Sequence, residues 1–320
     1  MNIIQKIINK ISRMTSKEDA NELKILMAQS LVRDNIRSHF EKINDAEFKV
    51  FSQWGEDGII QYLINKIPIQ NKVFIEFGVQ NYKEANTRFL LENNNWSGLV
   101  MDGSAKNIED IKKSDLYWKY DLVAKEIFIT KDNIDEVIKS YIDSSGYKKN
   151  IGLLSIDIDG NDYYVWDAIK NIDPIIVICE YNWIFGNKLC TSVPYDSGFI
   201  RTQKHHSNLY FGSSIQALCK LAHSKGYEYI GCTRAGNDAF FVKKDYAQKY
   251  IKELITTPTE IFSEQKAKES RDENGKLTFI RGVERFEVIR NMDVLDLETN
   301  KIVTLDTLFS DRRKLDNEHR

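Results

Sequence analysis

The sequence predicts an α/β fold built on a doubly wound sheet that is mostly parallel and closed by an antiparallel hairpin. From residue 73 to residue 180, short apolar runs alternate with segments of helical periodicity. Such alternation favours right-handed crossovers, which place helices on both faces of a parallel sheet. Two further apolar runs, 227–232 and 238–242, flank a glycine-containing turn, and this pattern is typical of a hairpin.

Each element follows from its own local pattern. The run from Val73 to Ile75 is continuously apolar, which is typical of a parallel strand covered on both faces. The apolar runs predict strands at 73–77, 98–102, 126–130, 151–157 and 175–180. Helical spacing of apolar residues predicts helices at 59–67, 86–95, 106–113, 133–142, 162–170 and 213–225.

The chain divides into three parts on this pattern. We expect an N-terminal helical segment at 1–50, a main domain at 51–250 and a C-terminal appendage at 251–320. The appendage is predicted to hold a charged helix, a glycine-containing break and a hairpin around Val294 to Leu305. The stretch 181–211 is too long for an ordinary connection, so we predict a lid or binding loop there.

The composition of the chain bears on nucleic-acid binding, on membrane insertion and on the state of the cysteines. The 320 residues carry a net charge of −2, which gives no indication of a broad basic field for nucleic acid. No apolar stretch approaches the roughly 20 residues of a membrane span. The four cysteines show no paired metal-type spacing, so we expect a cytoplasmic protein with reduced thiols. Residues 3–14 place apolar side chains on one helical face and basic ones on the other, which suits a partner subunit or an anionic membrane. The alternative is a helix that covers its own domain or a second protomer, and we expect a homo-oligomer.

Two predicted strands end in an acidic residue beside a glycine. Glu76 lies near the end of the first strand and Gly78 follows that strand, and Asp102 ends the second strand, about one crossover helix later. In sheets of this kind, ligands bind at the carboxyl ends of the strands. Gly78 lets the backbone approach a ligand closely, and Asp102 can accept hydrogen bonds from both hydroxyls of a ribose. The alternative is that each carboxylate caps the helix that follows it.

These residues resemble the S-adenosylmethionine-dependent methyltransferases of Rossmann-like fold, and particularly an FkbM-like group associated with the modification of bacterial surface sugars. The segments that carry the resemblance are Ile75-Glu76-Phe77-Gly78, Met101-Asp102-Gly103-Ser104, Leu154 to Gly160 and the closing hairpin. The sequence departs from the usual glycine-rich first loop, because Val79-Gln80-Asn81-Tyr82 follows Gly78 without a second glycine. A cofactor without phosphates is still accommodated there.

The resemblance implies S-adenosylmethionine as the cofactor and assigns roles to several residues. Glu76 and Gly78 would contact its methionine end, and Asp102, with Gly103 and Ser104 beside it, would contact its ribose. The turn that begins with Gln53 would close over the same ligand.

A second group of polar residues follows the fourth and fifth strands. Asp157 and Asp159 lie two residues apart, so on an extended strand end both point to one side. Glu180 ends the next strand, and Asn182 lies two residues later. Adjacent strands lie about 4.8 Å apart, so these four side chains can converge on one cation. An all-oxygen set suits Mg²⁺, Mn²⁺ or Ca²⁺, and such an ion lowers the pKa of a sugar hydroxyl. The alternative is that Asp157 contacts the cofactor and Asp159 caps the next helix.

His205 and His206 are candidate catalytic residues in the predicted lid, together with Asp157. A histidine that titrates near neutrality can act as a general base or as a further metal ligand. Adjacent histidines are also common in exposed loops, and that alternative stays open.

The leading hypothesis is an S-adenosylmethionine-dependent O-methyltransferase that acts on a sugar hydroxyl of a nucleotide-activated or capsular polysaccharide precursor. One alternative is a metal-dependent glycosyltransferase, because Asp157-Ile158-Asp159 is also an Asp-x-Asp pattern. The other is a non-catalytic scaffold of the same fold. Binding of the sulfonium donor separates the first hypothesis from both alternatives.

Overall fold

The computed structural model describes residues 17–318. The strands are β1 Val73–Phe77, β2 Ser97–Asp102, β3 Leu122–Glu126, β4 Leu153–Ile156, β5 Ile176–Glu180, β6 Thr191–Ser192, β7 Tyr227–Cys232, β8 Asp238–Lys243, β9 Asp293–Asp296 and β10 Lys301–Thr304. The helices are α1 Lys17–Arg37, α2 Glu56–Lys66, α3 Arg88–Asn94, α4 Ala105–Lys112, α5 Asp115–Lys119, α6 Ile134–Ser145, α7 Asp162–Ala168, α8 Arg201–Lys204, α9 Ile215–Ser224, α10 Lys244–Tyr250, α11 Val283–Ile289 and α12 Leu305–Glu318. Short 3₁₀ turns lie at Ile43–Ala46, Trp183–Phe185 and Lys252–Leu254.

Seven strands form one sheet in the order β3-β2-β1-β4-β5-β8-β7. Strands β1 to β5 are parallel, and β8 and β7 close the sheet as an antiparallel hairpin. The predicted fold class is therefore confirmed: the sheet is doubly wound, Rossmann-like and mostly parallel. Ile75 pairs with Leu99 of β2 and with Leu154 of β4, so the carboxyl ends of the central strands lie side by side.

Helices cover both faces of the large sheet. Along β1, Ile75 and Phe77 pack with residues of α6, α7 and α9, whereas Phe74 packs on the other face with residues of α2, α3 and α4. Both faces are apolar because both are covered, which explains the continuous apolar runs of the sequence.

The third strand lies four residues earlier than predicted, at Leu122–Glu126 and not at 126–130. It is an edge strand with one solvated face: Leu122 and Ala124 are buried, whereas Val123 between them is 39% exposed. The more apolar run from Ile127 to Ile129 leaves the sheet and lines a cavity at its edge. The predicted bounds of this strand were wrong because the most apolar residues of the region line the cavity and do not form the strand.

The C-terminal region also differs from its prediction. The expected charged helix after residue 255 is not formed, since residues 255–282 contain no helix. This stretch packs on the turn of the β7–β8 hairpin, where the Lys266 amide donates to the Ala235 carbonyl at 2.7 Å. The predicted hairpin is present as β9 and β10, and β9 pairs with β6 in a second, three-stranded sheet.

At the N-terminus, the predicted amphipathic segment 3–14 lies outside the described residues. Helix α1 packs on α2. Its buried Ala28 belongs to a small apolar cluster with Val50, Phe51 and Phe89, whereas Leu23, Leu26 and Met27 are exposed. Between residues 17 and 318, no helix combines the length and the apolar character that crossing a membrane requires.

Candidate functional site

A cavity of about 200 Å³ opens at the carboxyl ends of β1, β2 and β4. One wall is the turn after β1, with Gly78 and Gln80, and a second is the end of β2, with Asp102 and Gly103. The remaining walls are the turn after β4, the apolar run 127–129 and the ring of Phe199. The cavity therefore lies where the sequence places a ligand.

Gly78 brings two of these walls into contact. Its φ is +70°, and a Cβ at this position would lie 1.7 Å from the carbonyl oxygen of Asp157. No side chain fits in that gap, and the left-handed backbone also favours glycine. The turns after β1 and β4 thus touch through a residue without a side chain.

Glu76, at the end of β1, is held by the start of α3. Its Oε1 accepts from the Asn86 amide at 2.8 Å, and its Oε2 accepts from the Thr87 amide at 3.0 Å and from Thr87 Oγ1 at 2.5 Å. Burial raises the pKa of Glu76 to about 7, against the effect of these hydrogen bonds. These hydrogen bonds agree with the alternative in which Glu76 caps the helix that follows it. Glu76 is not on the cavity wall.

Asp102, at the end of β2, lies on the cavity wall and is 9% exposed. Its Oδ2 accepts from the Gln80 amide at 2.8 Å, and its Oδ1 accepts from the Ser104 amide at 2.8 Å and from Asn107 Nδ2 at 2.9 Å. Ser104 itself caps α4, because its Oγ accepts from the Asn107 amide. Asp102 therefore joins the turn after β1 to the start of α4 and remains at the cavity.

Gln53 is exposed and is not part of the cavity wall. Its carbonyl oxygen accepts from Lys49 Nζ at 2.6 Å. The loop around it is held by the buried Asp57, whose Oδ2 accepts from the amides of Val50, Phe51 and Ser52. Asp57, in the acidic turn after Gln53, therefore fixes the backbone of residues 50–52.

Asp157, Asp159 and Glu180 form the acidic group, in which each carboxylate offers an oxygen within 4.8 Å of the others. Asp159 has a φ of +57°, and the Asp162 carboxylate fixes the turn by accepting from the amides of Ile158 and Gly160. The three carboxylates meet through this turn, whereas the sequence suggested an extended strand end. A left-handed aspartate is strained backbone of the kind that clusters at functional sites.

The positive charge beside the acidic group is smaller than its negative charge, since among the described residues Arg201 is paired with Asp159 alone. Glu180 is 7% exposed, and its buried Oε2 has no hydrogen-bond partner. Burial, followed by the charges of Asp157 and Asp159, raises the pKa of Glu180 well above its ordinary value, and burial with Asp159 does the same for Asp157. An orphaned carboxylate oxygen in an all-oxygen donor set fits a divalent cation.

Asn182 does not join this group. Its Nδ2 donates to the carbonyls of Leu209 and Phe211, and its Oδ1 accepts from the Ile184 amide at 3.0 Å. The side chain is fully buried and ties the segment after β5 to residues 209–211.

Asp238 and Glu56 are two further acidic residues at this edge that the sequence reasoning missed. Asp238 is opposite Glu180 across the β5–β8 pair and is 3% exposed. Burial and the charge of Glu56 raise its pKa well above the ordinary value, and Asn86 Nδ2 donates to it at 3.2 Å. An acidic residue at the boundary of the apolar run 238–242 was the available signal, the same signal that identified Glu76 and Asp102.

The predicted lid is docked on the turn after β4 by three contacts. The Asp196 carbonyl accepts from Asn161 Nδ2 at 2.8 Å, and Arg201 Nη1 donates to Asp159 Oδ1 at 2.5 Å. The Phe199 ring lies so close to Gly160 that a Cβ there would be 2.2 Å from it. The segment 196–201 therefore covers the candidate site.

His205 and His206 follow α8 and do not line the cavity. Their rings lie 4.2 Å apart, and His205 Nδ1 is 2.7 Å from Ser207 Oγ. Burial and the neighbouring His206 lower the pKa of His205. Both histidines belong to the lid and stand outside the cavity wall.

No protein family model matches the sequence, and no curated protein matches it. Among solved structures, the chain is similar to the N-terminal domain of EvdMO1 with SAH bound, at 9% identity over 72% of this chain and 97% of that one, with a TM-score of 0.40. The same domain in the presence of SAH and D-fucose gives 10% identity over 59% and 82% of the two chains and a TM-score of 0.39. An O-methyltransferase from Bacillus cereus in complex with SAH gives 12% identity over 70% and 91%, with a TM-score of 0.37.

Proposed function

We propose that this protein is an S-adenosylmethionine-dependent O-methyltransferase that acts on a sugar hydroxyl. The observation that carries the proposal is the cavity between Gly78, Asp102 and Asp157, at the carboxyl ends of the central strands. This edge is where Rossmann-like sheets bind nucleosides, and an aspartate at the end of β2 is placed to accept hydrogen bonds from ribose hydroxyls.

Charge supports a sulfonium donor over a pyrophosphate cofactor. The cavity wall carries Asp102, Asp157 and Asp159, and Glu76, Glu180 and Asp238 lie nearby at the same edge. S-adenosylmethionine brings a sulfonium and an ammonium, both positive, whereas a dinucleotide brings negative phosphates. Carboxylates gathered at the binding edge favour the cationic ligand. The lack of a second glycine after Gly78 points the same way, because tight approach of a pyrophosphate needs one.

The residues of the site divide into binding and proton-transfer roles. When bound, S-adenosylmethionine supplies an electrophilic methyl group, and a divalent cation acidifies a hydroxyl that it binds. We assign Asp102 to the ribose, Gly78 to the close approach of the backbone, and Asp157, Asp159 and Glu180 to the cation. Asp157 is the candidate base for the hydroxyl proton, because it lies both on the cavity wall and in the acidic group. His205 and His206 are weaker candidates, since they stand off the cavity wall.

The acceptor class rests on the FkbM-like resemblance and on the lid. Residues 196–201 dock on the turn after β4 through Asp196 and Arg201, and Phe199 of the same segment lies on the cavity wall, so an acceptor bound at the acidic group would contact the lid. We propose a sugar of a nucleotide-activated or capsular polysaccharide precursor, methylated in the cytoplasm.

Isothermal titration of the full chain with SAH tests the cofactor assignment. We expect binding in the micromolar range for the wild type and weaker binding for Asp102→Asn, because the lost charge weakens the contact with the ribose hydroxyls. No heat of binding at millimolar SAH would defeat the proposal. Thermal stabilisation by a nucleoside diphosphate with Mn²⁺, together with no response to SAH, would favour the glycosyltransferase alternative.

A further inference from the structure

Arg201 brings a positive charge into the acidic group. Its Nη1 donates to Asp159 Oδ1 at 2.5 Å, and its side chain is only 19% exposed. Burial opposes the charge of the guanidinium, yet Glu180, Asp159 and Asp157 together raise its pKa. A protonated arginine therefore occupies the position beside the three carboxylates.

The position of Arg201 is fixed by the lid as well as by Asp159. Its Nε donates to the Asn208 carbonyl at 2.8 Å, and its guanidinium carbon lies 3.7 Å from the centre of the Phe211 ring. A stacked guanidinium with an occupied Nε is held in one orientation. The lid thus holds Arg201 in the orientation in which its Nη1 meets Asp159.

Charge neutralisation inside the acidic group is incomplete. Arg201 is hydrogen-bonded to Asp159, whereas the buried Oε2 of Glu180 has no partner. One positive charge faces three carboxylates, so the group has room for more positive charge. A divalent cation bound to all three would meet the guanidinium at Asp159, where two like charges repel.

We propose that Arg201 is an internal competitor of the cation: its guanidinium pairs with Asp159 while no cation is bound, and a divalent cation displaces it. This inference rests on the cation site of the proposed function. Displacement removes one of the three contacts that dock residues 196–201 on the turn after β4, so cation binding also loosens the lid. Arg201 is in this sense a positioning residue that couples the lid to the acidic group.

Binding of Mn²⁺ to the full-length protein tests the inference without reference to activity. Isothermal titration compares the wild type with Arg201→Gln, Arg201→Lys and the control Lys204→Gln. Lys204 lies on the same short helix and pairs with Asp196, away from the three carboxylates, so it is a matched control for loss of a lid charge. We expect Arg201→Gln to bind Mn²⁺ about tenfold more tightly, as the loss of one competing charge-assisted contact would give.

Arg201→Lys keeps the charge and loses the stacked, forked geometry, so its affinity should lie between those of the wild type and Arg201→Gln. Lys204→Gln should match the wild type. Hydrogen exchange of residues 195–208 gives a second readout: Mn²⁺ should speed exchange in the wild type, and exchange in Arg201→Gln should be fast without the ion. Circular dichroism confirms that each variant is folded.

Equal or weaker Mn²⁺ binding by Arg201→Gln would overturn the inference, as would the absence of Mn²⁺ binding in all four proteins. Neither result touches the cofactor assignment, which SAH binding tests separately. Conversely, the expected order of Mn²⁺ affinities without any SAH binding would support the role of Arg201 and defeat the methyltransferase proposal.

Discussion

Replacement of Gly78 by alanine tests whether contact between the turns after β1 and β4 is required. Gly146 at the end of α6 is a matched control, because its φ is +69° against +70° for Gly78, while a Cβ there would meet no atom within 4 Å. Both substitutions carry the cost of alanine in the left-handed region, about 1–2 kcal/mol. Only Gly78→Ala adds a clash, with the Asp157 carbonyl 1.7 Å from the new Cβ.

The size of the added cost follows from that distance. Carbon and carbonyl oxygen normally approach no closer than about 3.3 Å, so the two turns would have to separate by roughly 1.5 Å. Overpacking of this kind costs about 1–3 kcal/mol. We therefore expect Gly78→Ala to lower the free energy of unfolding by about 3 kcal/mol, twice or more the effect of Gly146→Ala.

Urea unfolding followed by circular dichroism measures both effects, and titration with SAH measures the site directly. Gly146→Ala should bind SAH like the wild type, whereas Gly78→Ala should bind it at least tenfold more weakly, because the cavity wall has moved. If the two variants unfold within about 0.5 kcal/mol of each other, the turns separate at little cost and the close approach at Gly78 is not a structural requirement.

Three further predictions concern single side chains. Burial raises the pKa of Glu76 to about 7 from 4.5, so between these values the native state holds a proton that the unfolded chain releases. The free energy of unfolding should fall by at most about 3 kcal/mol from pH 5 to pH 8, and Glu76→Gln should flatten this slope in urea titrations. Asp102→Asn should weaken SAH binding about tenfold to a hundredfold, and unchanged affinity in calorimetry would remove Asp102 from the cofactor site. Asn182→Ala should lower the free energy of unfolding by about 2 kcal/mol and leave Mn²⁺ affinity unchanged; weaker Mn²⁺ binding by the folded variant would restore it as a ligand.

Local sequence patterns were sufficient to predict the strands of the large sheet that helices cover on both faces. The runs at β1, β2 and β5 are continuously apolar because helices bury both sides of them, so their sequence records their environment directly. The edge strand β3 has one solvated face, and the neighbouring run Ile127 to Ile129, which lines the cavity, is more apolar than the strand itself. Sequence alone could not separate a cavity wall from a strand.

The candidate site, like the sheet, could be predicted only in part from the sequence. Acidic residues at strand ends indicated Glu76, Asp102, Asp157 and Glu180, because in a parallel sheet such ends meet at one edge. The contacts of Asn182 and the docking of Arg201 on Asp159 depend on partners 27 to 42 residues away, and no local pattern encodes them.

By itself, the sequence determined the α/β class, the positions of the buried strands along the chain and the edge at which carboxylates gather, since these follow from hydrophobic periodicity and chain connectivity. Only the tertiary structure decided which carboxylates accept hydrogen bonds from the start of a helix, which carboxylate oxygen has no partner, and which basic side chain pairs with the acidic group. Those outcomes depend on distances between segments far apart in the chain, and packing of the whole molecule sets them.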